Sequence, residues 1–202
     1  MSKTNILLVH HKPGQPRTYK LLIDFVSTVS KLTYSSFIPV EIERIEEVKN
    51  WDGPVIALFT LRGGHYYAVE EKFPGRTCGP VPTGVIAAHF AREYKTAAAK
   101  KIILAFYKAY RFPEERRQDV EKLARLLKDL LGAHVSLFEY SHNEVSKCDR
   151  ETIVAPLSLG PSSLTRRFGK AGCRVLSTLL EGGGDLLAGW IAGCIHCFKS
   201  SP

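Results

Sequence analysis

Residues 54–65 read Pro54-Val55-Ile56-Ala57-Leu58-Phe59-Thr60-Leu61-Arg62-Gly63-Gly64-His65. An uncharged, mostly apolar run ends at an arginine, two glycines and a histidine. A run without polar alternation is the pattern of a strand buried on both faces, as in a parallel sheet. Ile6-Leu7-Leu8-Val9 has the same character and stops at His10-His11. Both blocks recur downstream. Ile102-Ile103-Leu104-Ala105 matches the first at an offset of 96 (Ile6 to Ile102), and Val154-Ala155-Pro156-Leu157-Ser158-Leu159 matches the second at an offset of 98 (Ile56 to Val154). Parallel strands resemble one another in composition, so the flanking helices carry the argument. They correspond too, and two blocks at nearly one offset indicate an internal duplication.

Working outward, 5–10 reads as a strand, 11–17 as a loop broken by Pro13, Gly14 and Pro16, and 17–31 as a helix with Tyr19, Leu22, Ile23, Val26 and Val29 at helical spacing. Strands are expected at 37–42 and 54–61, a short helix at 43–49, and a helix at 84–95. In the second half, strands are expected at 101–107, 135–140 and 152–159. The strongest helix spans 113–131, with Val120, Leu123, Ala124, Leu127 and Leu130 on one face and Pro113 suited to its first turn. A last helix follows at 185–198. The fold class is therefore α/β: two similar open parallel-sheet units flanked by helices, residues 1–98 and 99–202, with the site in the cleft between them.

The 202 residues suffice for one large domain or two small ones sharing a core. No apolar run approaches the roughly 18 residues of a membrane span, and 6–9 is too short for a signal-peptide core. A cytoplasmic protein without a membrane partner is expected. The five cysteines are scattered and odd in number, which suggests buried thiols or ligands rather than a disulfide framework. Cys194-Ile195-His196-Cys197 looks like half a metal site, which Cys148 and Cys173 would have to complete, and buried thiols on an apolar helix are the simpler reading. Gly182-Gly183-Gly184 lacks the P-loop and dinucleotide spacings and reads as a flexible connection. His89, His134 and His142 stand outside any motif and read as structural. The net charge of +8 calls for an acidic partner. Nucleic acid, a membrane surface and a polycarboxylate small molecule all qualify, but the chain has no Lys/Arg-dense block and no zinc-finger or RNA-binding signature, which counts against nucleic acid.

Open parallel sheets bind ligands beyond the carboxyl ends of their strands. His10 and His11 end one strand and His65 follows another, 54 residues after His11. One strand-end histidine is an ordinary loop residue. Three in two such loops suggest a mouth for a divalent metal. The second half has Phe106-Tyr107 and a Pro161-Ser162-Ser163 stretch instead, so a single asymmetric site is expected.

Leu8-Val9-His10-His11 resembles the strand-end Val-Gly-His motif of the sirohydrochlorin cobaltochelatases and their nickel- and iron-inserting relatives. Residues 54–65 resemble that family's apolar strand with its following glycine and second histidine. These are the small class II tetrapyrrole chelatases, and this chain has the length of the form in which two units are fused. The resemblance implies that His11 and His65 are metal ligands and proton acceptors, with His10 taking the place of His11 if the strand slips by one. The family's Gly-His-Gly-Ser reads His10-His11-Lys12-Pro13 here. Its acidic residue four positions after the second histidine is Val69 here, which leaves Glu70 as the carboxylate candidate. Lys12, Arg17, Arg62 and Arg76 are expected to ring the site and pair with substrate carboxylates. The implied function is insertion of a divalent metal (cobalt first, nickel or iron otherwise) into sirohydrochlorin or a related tetrapyrrole. The metal would be substrate, with no permanently bound cofactor, and the chain a monomer. The alternative is a degenerate relative that binds metal or tetrapyrrole without turnover.

Overall fold

The computed structural model describes residues 3–97, 99–141, 145 and 147–200; His142 lies outside the described residues. The first unit runs β1 (Thr4–His10), α1 (Pro16–Thr33), β2 (Ser35–Glu41), a 3-10 helix (Ile42–Glu47), β3 (Val55–Ala57), α2 (Gly64–Lys72), β4 (Thr77–Cys78) and α3 (Thr83–Tyr94). The second runs β5 (Lys101–Tyr107), α4 (Pro113–Leu131), β6 (His134–Tyr140), β7 (Thr152–Pro156), α5 (Ser163–Lys170), β8 (Arg174–Val175), α6 (Leu179–Gly182) and α7 (Gly184–Ser200). Each unit forms one four-stranded, all-parallel sheet, in the orders β2-β1-β3-β4 and β6-β5-β7-β8. The duplication is thus realised as two sheets of identical topology.

β1 shows how the layers arise. Successive strand residues face opposite sides. Ile6 and Leu8 enter a core shared by both units, together with Phe90 on α3, Ile102 and Leu104 on β5, and Leu123 and Leu127 on α4. Leu7 and Val9 face the other way, into a smaller cluster closed by Tyr66 and Val69 of α2. The second unit repeats this, with Ala105 and Val154 covered by Leu164 and Phe168 of α5. α3 packs on α4 and α7 packs on α1, the reciprocal contacts a pseudo-twofold arrangement produces. α4 spans the expected residues, from Pro113 in its first turn to a left-handed Gly132 after it.

Four expectations are corrected. The strand expected at 54–61 pairs only over Val55–Ala57, because the chain turns at Phe59, whose N–H bonds back to the Ala57 carbonyl. α2 and α5 went unread because each buries only two residues, too few to print a helical period. The cysteines pair: Cys78 of β4 with Cys194 of α7, and Cys148 with Cys173, at Cα separations of 6.1 and 5.0 Å. The Cys194–Cys197 metal half-site is thereby dissolved, and Cys197 is exposed. Folding brings partners together across 116 and 25 residues, which spacing along the chain does not reveal. Gly182 and Gly183 are not a flexible connection either. They abut the fully buried His89, whose Nε2–H donates to the Ser177 carbonyl at 2.8 Å. A Cβ at Gly183 would lie 3.1 Å from His89 Nδ1.

Candidate active site

The residues directly following β1, β3, β5 and β7 line one cleft of about 720 Å³ between the units. Strand alternation decides which histidine of the His10-His11 pair matters. His11 continues the Leu7–Val9 face, the one α2 covers, and His65 is the second residue of α2. Their Nδ1 atoms lie 3.1 Å apart, and His11 packs edge-on against Phe59 with ring centroids 4.8 Å apart. His10 continues the Ile6–Leu8 face. It is 5% exposed, and its Nδ1–H donates to the His11 carbonyl at 2.8 Å. It reaches the cleft wall but does not pair with His65.

The spacing has a chemical meaning. Two nitrogens about 2.0–2.1 Å from one ion, at angles of about 90–110°, lie about 2.8–3.4 Å apart. The cleft walls desolvate the His11 ring, and His65 and Arg116 add positive field. Glu43 opposes them, and the pKa is pushed down to about 4. His11 is therefore neutral at pH 7, with a lone pair to offer.

The other expected residues divide. Lys12 lines the cleft. Glu70 does not: it accepts from Tyr66 Oη at 3.0 Å, five positions and more than a helical turn from His65. With burial as the larger cause, this bond helps push the Tyr66 pKa up to about 12. The carboxylate whose charge reaches His11 is Glu43, in the 3-10 helix after β2, a position with no motif to mark it. Arg17 pairs with Glu181 at 2.9 Å. Arg62 forms a two-pronged ion pair with Asp119 of α4, nearest approach 2.7 Å, and so joins the two units. Arg76 donates to the Trp51 carbonyl at 3.0 Å. It precedes β4, at the opposite end of the sheet from residues that follow strands. None of these three lines the cleft.

Their place is taken by Lys108, Arg111, Arg116 and Arg166 of the second unit. With Lys12, five cations line the cleft, and among the described residues no Asp or Glu lines it. Burial lowers the Arg116 pKa, and its guanidinium donates to the carbonyls of Tyr107 at 3.1 Å and Arg62 at 3.4 Å. It lies so close to Gly63 that a Cβ there would meet Nη2 at 2.7 Å, so a larger residue at 63 would have to displace the end of the Arg116 side chain. The one sequence signal for these cations was position: Lys108 stands after β5 as Lys12 stands after β1.

No protein-family model matches the chain, and no curated protein sequence matches it. Solved structures do. Sirohydrochlorin chelatase SirB from Bacillus subtilis subspecies spizizenii, in complex with cobalt, superposes with a TM-score of 0.70 at 14% identity, over 100% of this chain and 97% of that one. CbiX, the terminal enzyme for biosynthesis of siroheme in denitrifying bacteria, gives 0.69 at 15% identity, over 96% and 99%. This chain has the chelatase fold. SirB from Bacillus subtilis with Fe3+ agrees, at 0.65 and 13% identity over 98% and 96%. The chelatase fold is thus matched end to end in both units, at identities that speak for architecture alone.

Proposed function

We propose that this chain inserts a divalent metal into sirohydrochlorin or a closely related polycarboxylate tetrapyrrole. One observation carries the reading: two imidazole nitrogens 3.1 Å apart open onto a cleft lined, among the described residues, by five cations and no carboxylate. The imidazoles suit a divalent ion. The cations suit an organic polyanion, and the cleft between two sheets suits a flat macrocycle. Insertion exchanges the ion for two pyrrole protons. His11, neutral down to about pH 4, and His65 hold the ion at the cleft mouth. As the ion passes into the ring their freed lone pairs accept the protons and release them to water. Glu43 supplies negative field on the same side. Residues 1–98 act as the metal-delivering unit and 99–202 as the unit that receives the macrocycle.

Imidazole serves cobalt, nickel and iron alike. Cobalt is the first choice, and the SirB structures with cobalt and with Fe3+ support a shared set of metals. Among the described residues no helix is long and apolar enough to cross a membrane. In the cytoplasm, the proposed setting, the two disulfides have to persist against thiol reductants, as they do in some intracellular proteins of hyperthermophiles. A second reading, a carrier that binds metal or tetrapyrrole without turnover, draws on one finding. No three His, Cys, Asp or Glu among the described residues converge as a metal cluster. Anaerobic incubation of the protein and sirohydrochlorin with Co2+, Ni2+ or Fe2+ decides between them. A protein-dependent absorbance change of the macrocycle establishes insertion. Tight binding without that change establishes the carrier, and binding of neither ends both readings.

A further inference from the structure

Resting on that reading, we propose that the second unit keeps the counterpart of the histidine half-site, rebuilt as a receptor for a substrate carboxylate. The receptor is the Tyr107–Ser163 hydroxyl pair, with Lys108 and Arg166 lining the same cleft. The equivalence comes from backbone hydrogen bonds. Leu58 N–H donates to the Val9 carbonyl at 2.8 Å, and Leu157 N–H donates to that of Ala105 at 2.8 Å. Phe59 N–H donates to Ala57, and Ser158 N–H to Pro156. These pairs place Tyr107 where His11 stands, Lys108 where Lys12 stands, Ser163 where Gly64 stands and Leu164 where His65 stands.

In the first unit the strand end meets the helix start through two imidazoles. In the second the same junction is made by hydroxyls. Tyr107 Oη lies 2.7 Å from Ser163 Oγ and accepts the Leu164 N–H at 3.1 Å. The pair has two O–H protons, and one is used between the two oxygens. Whichever hydroxyl donates, the other proton is left for an acceptor in the cleft, which both residues line. Hydroxyl donors beside a lysine and an arginine recognise a carboxylate. They make a poor site for a divalent ion of the kind imidazole holds. The fused chain therefore delivers metal from one wall and grips the macrocycle's acid groups with the other.

The test separates the two walls. Affinities are measured for metal-free sirohydrochlorin by fluorescence titration, and for Co2+ alone by calorimetry. Tyr107→Phe removes one hydroxyl and keeps the ring that packs edge-on against Tyr140 with centroids 5.6 Å apart. Arg166→Gln changes an exposed residue. Each is expected to weaken sirohydrochlorin binding about tenfold or more, the loss of one hydrogen bond to a charged group, with Co2+ binding unchanged. His65→Ala is expected to do the reverse. If the wild type binds sirohydrochlorin and both second-wall variants match it, the receptor is refuted and the chelatase reading stands. Loss of Co2+ binding in Tyr107→Phe also refutes it. A wild type that fails to bind sirohydrochlorin at all overturns the receptor together with the reading it rests on.

Discussion

His65 stands in the first turn of α2 with its ring exposed to the cleft, so its truncation leaves no void in a core. His65→Ala is expected to leave stability within about 0.5 kcal/mol while insertion slows about 10²- to 10⁴-fold, the usual cost of losing a general base. A melting curve and an insertion rate on the same variant check this. A lowered melting temperature with normal insertion would mean a structural histidine. His11 makes a pH prediction. Its pKa is about 4 in the fold and 6.5 without it. Between those values the unfolded chain binds the extra proton, so the stability contributed by neutral His11 is full above about pH 6.5 and is lost as pH falls toward 4. Urea midpoints measured across that window should decline for the wild type and decline less for His11→Asn. Equal slopes would place the burial of His11 in error.

At the scale of elements, the Cys78–Cys194 bond ties the last strand of the first sheet to the C-terminal helix, closing 116 residues of chain. A loop of that length stabilises by about 3–5 kcal/mol through restriction of the unfolded ensemble. For a chain of this size, 3 kcal/mol corresponds to about 6–12 °C in melting temperature. Melting with and without dithiothreitol should show a drop of that order, and Cys78→Ser/Cys194→Ser should reproduce most of it. Identical curves, or full alkylation of all cysteines before reduction, would show that the bonds do not form in solution. α2 matters for another reason. It is short and buries only Tyr66 and Val69, yet it presents His65 to His11. Gly63 before it makes room for Arg116 of the other unit, so the helix that carries the histidine is positioned from both sides of the cleft.

At the scale of the molecule, the two sheets share the larger core, while each keeps a smaller cluster on its other face. Ile6, Leu8, Ile86 and Phe90 of the first unit are buried against Ile102, Leu104, Leu123 and Leu127 of the second, and Arg62–Asp119 crosses the same boundary. Residues 1–98 produced alone would expose that whole face. They are expected to self-associate or remain unfolded, as read by light scattering and circular dichroism. A stable folded monomer of that fragment would show that the units are independent. The full chain, with the face already covered, is expected to run as a monomer near 22.5 kDa.

The sequence by itself determined what is local and periodic. The buried strands at Ile6–Val9 and Ile102–Ala105, the long helix from Pro113, the duplication and the strand-end placement of His11 and His65 all follow from composition, period and punctuation along the chain. Only the tertiary structure decided what depends on pairs distant in sequence. His11 was separated from His10 by which face α2 covers. Arg17, Arg62 and Arg76 were removed from the cleft by Glu181, Asp119 and the Trp51 carbonyl. Lys108, Arg111, Arg116 and Arg166 were brought in from a second unit that carries no histidine motif, and the cysteines found partners no spacing announced. The even offset of 98 also slipped by one at the third strand, where hydrogen bonding equates Leu58 with Leu157. Strand side chains alternate between faces, so one residue of register decides which side chain meets the site. That choice is made by the neighbouring strand and helix.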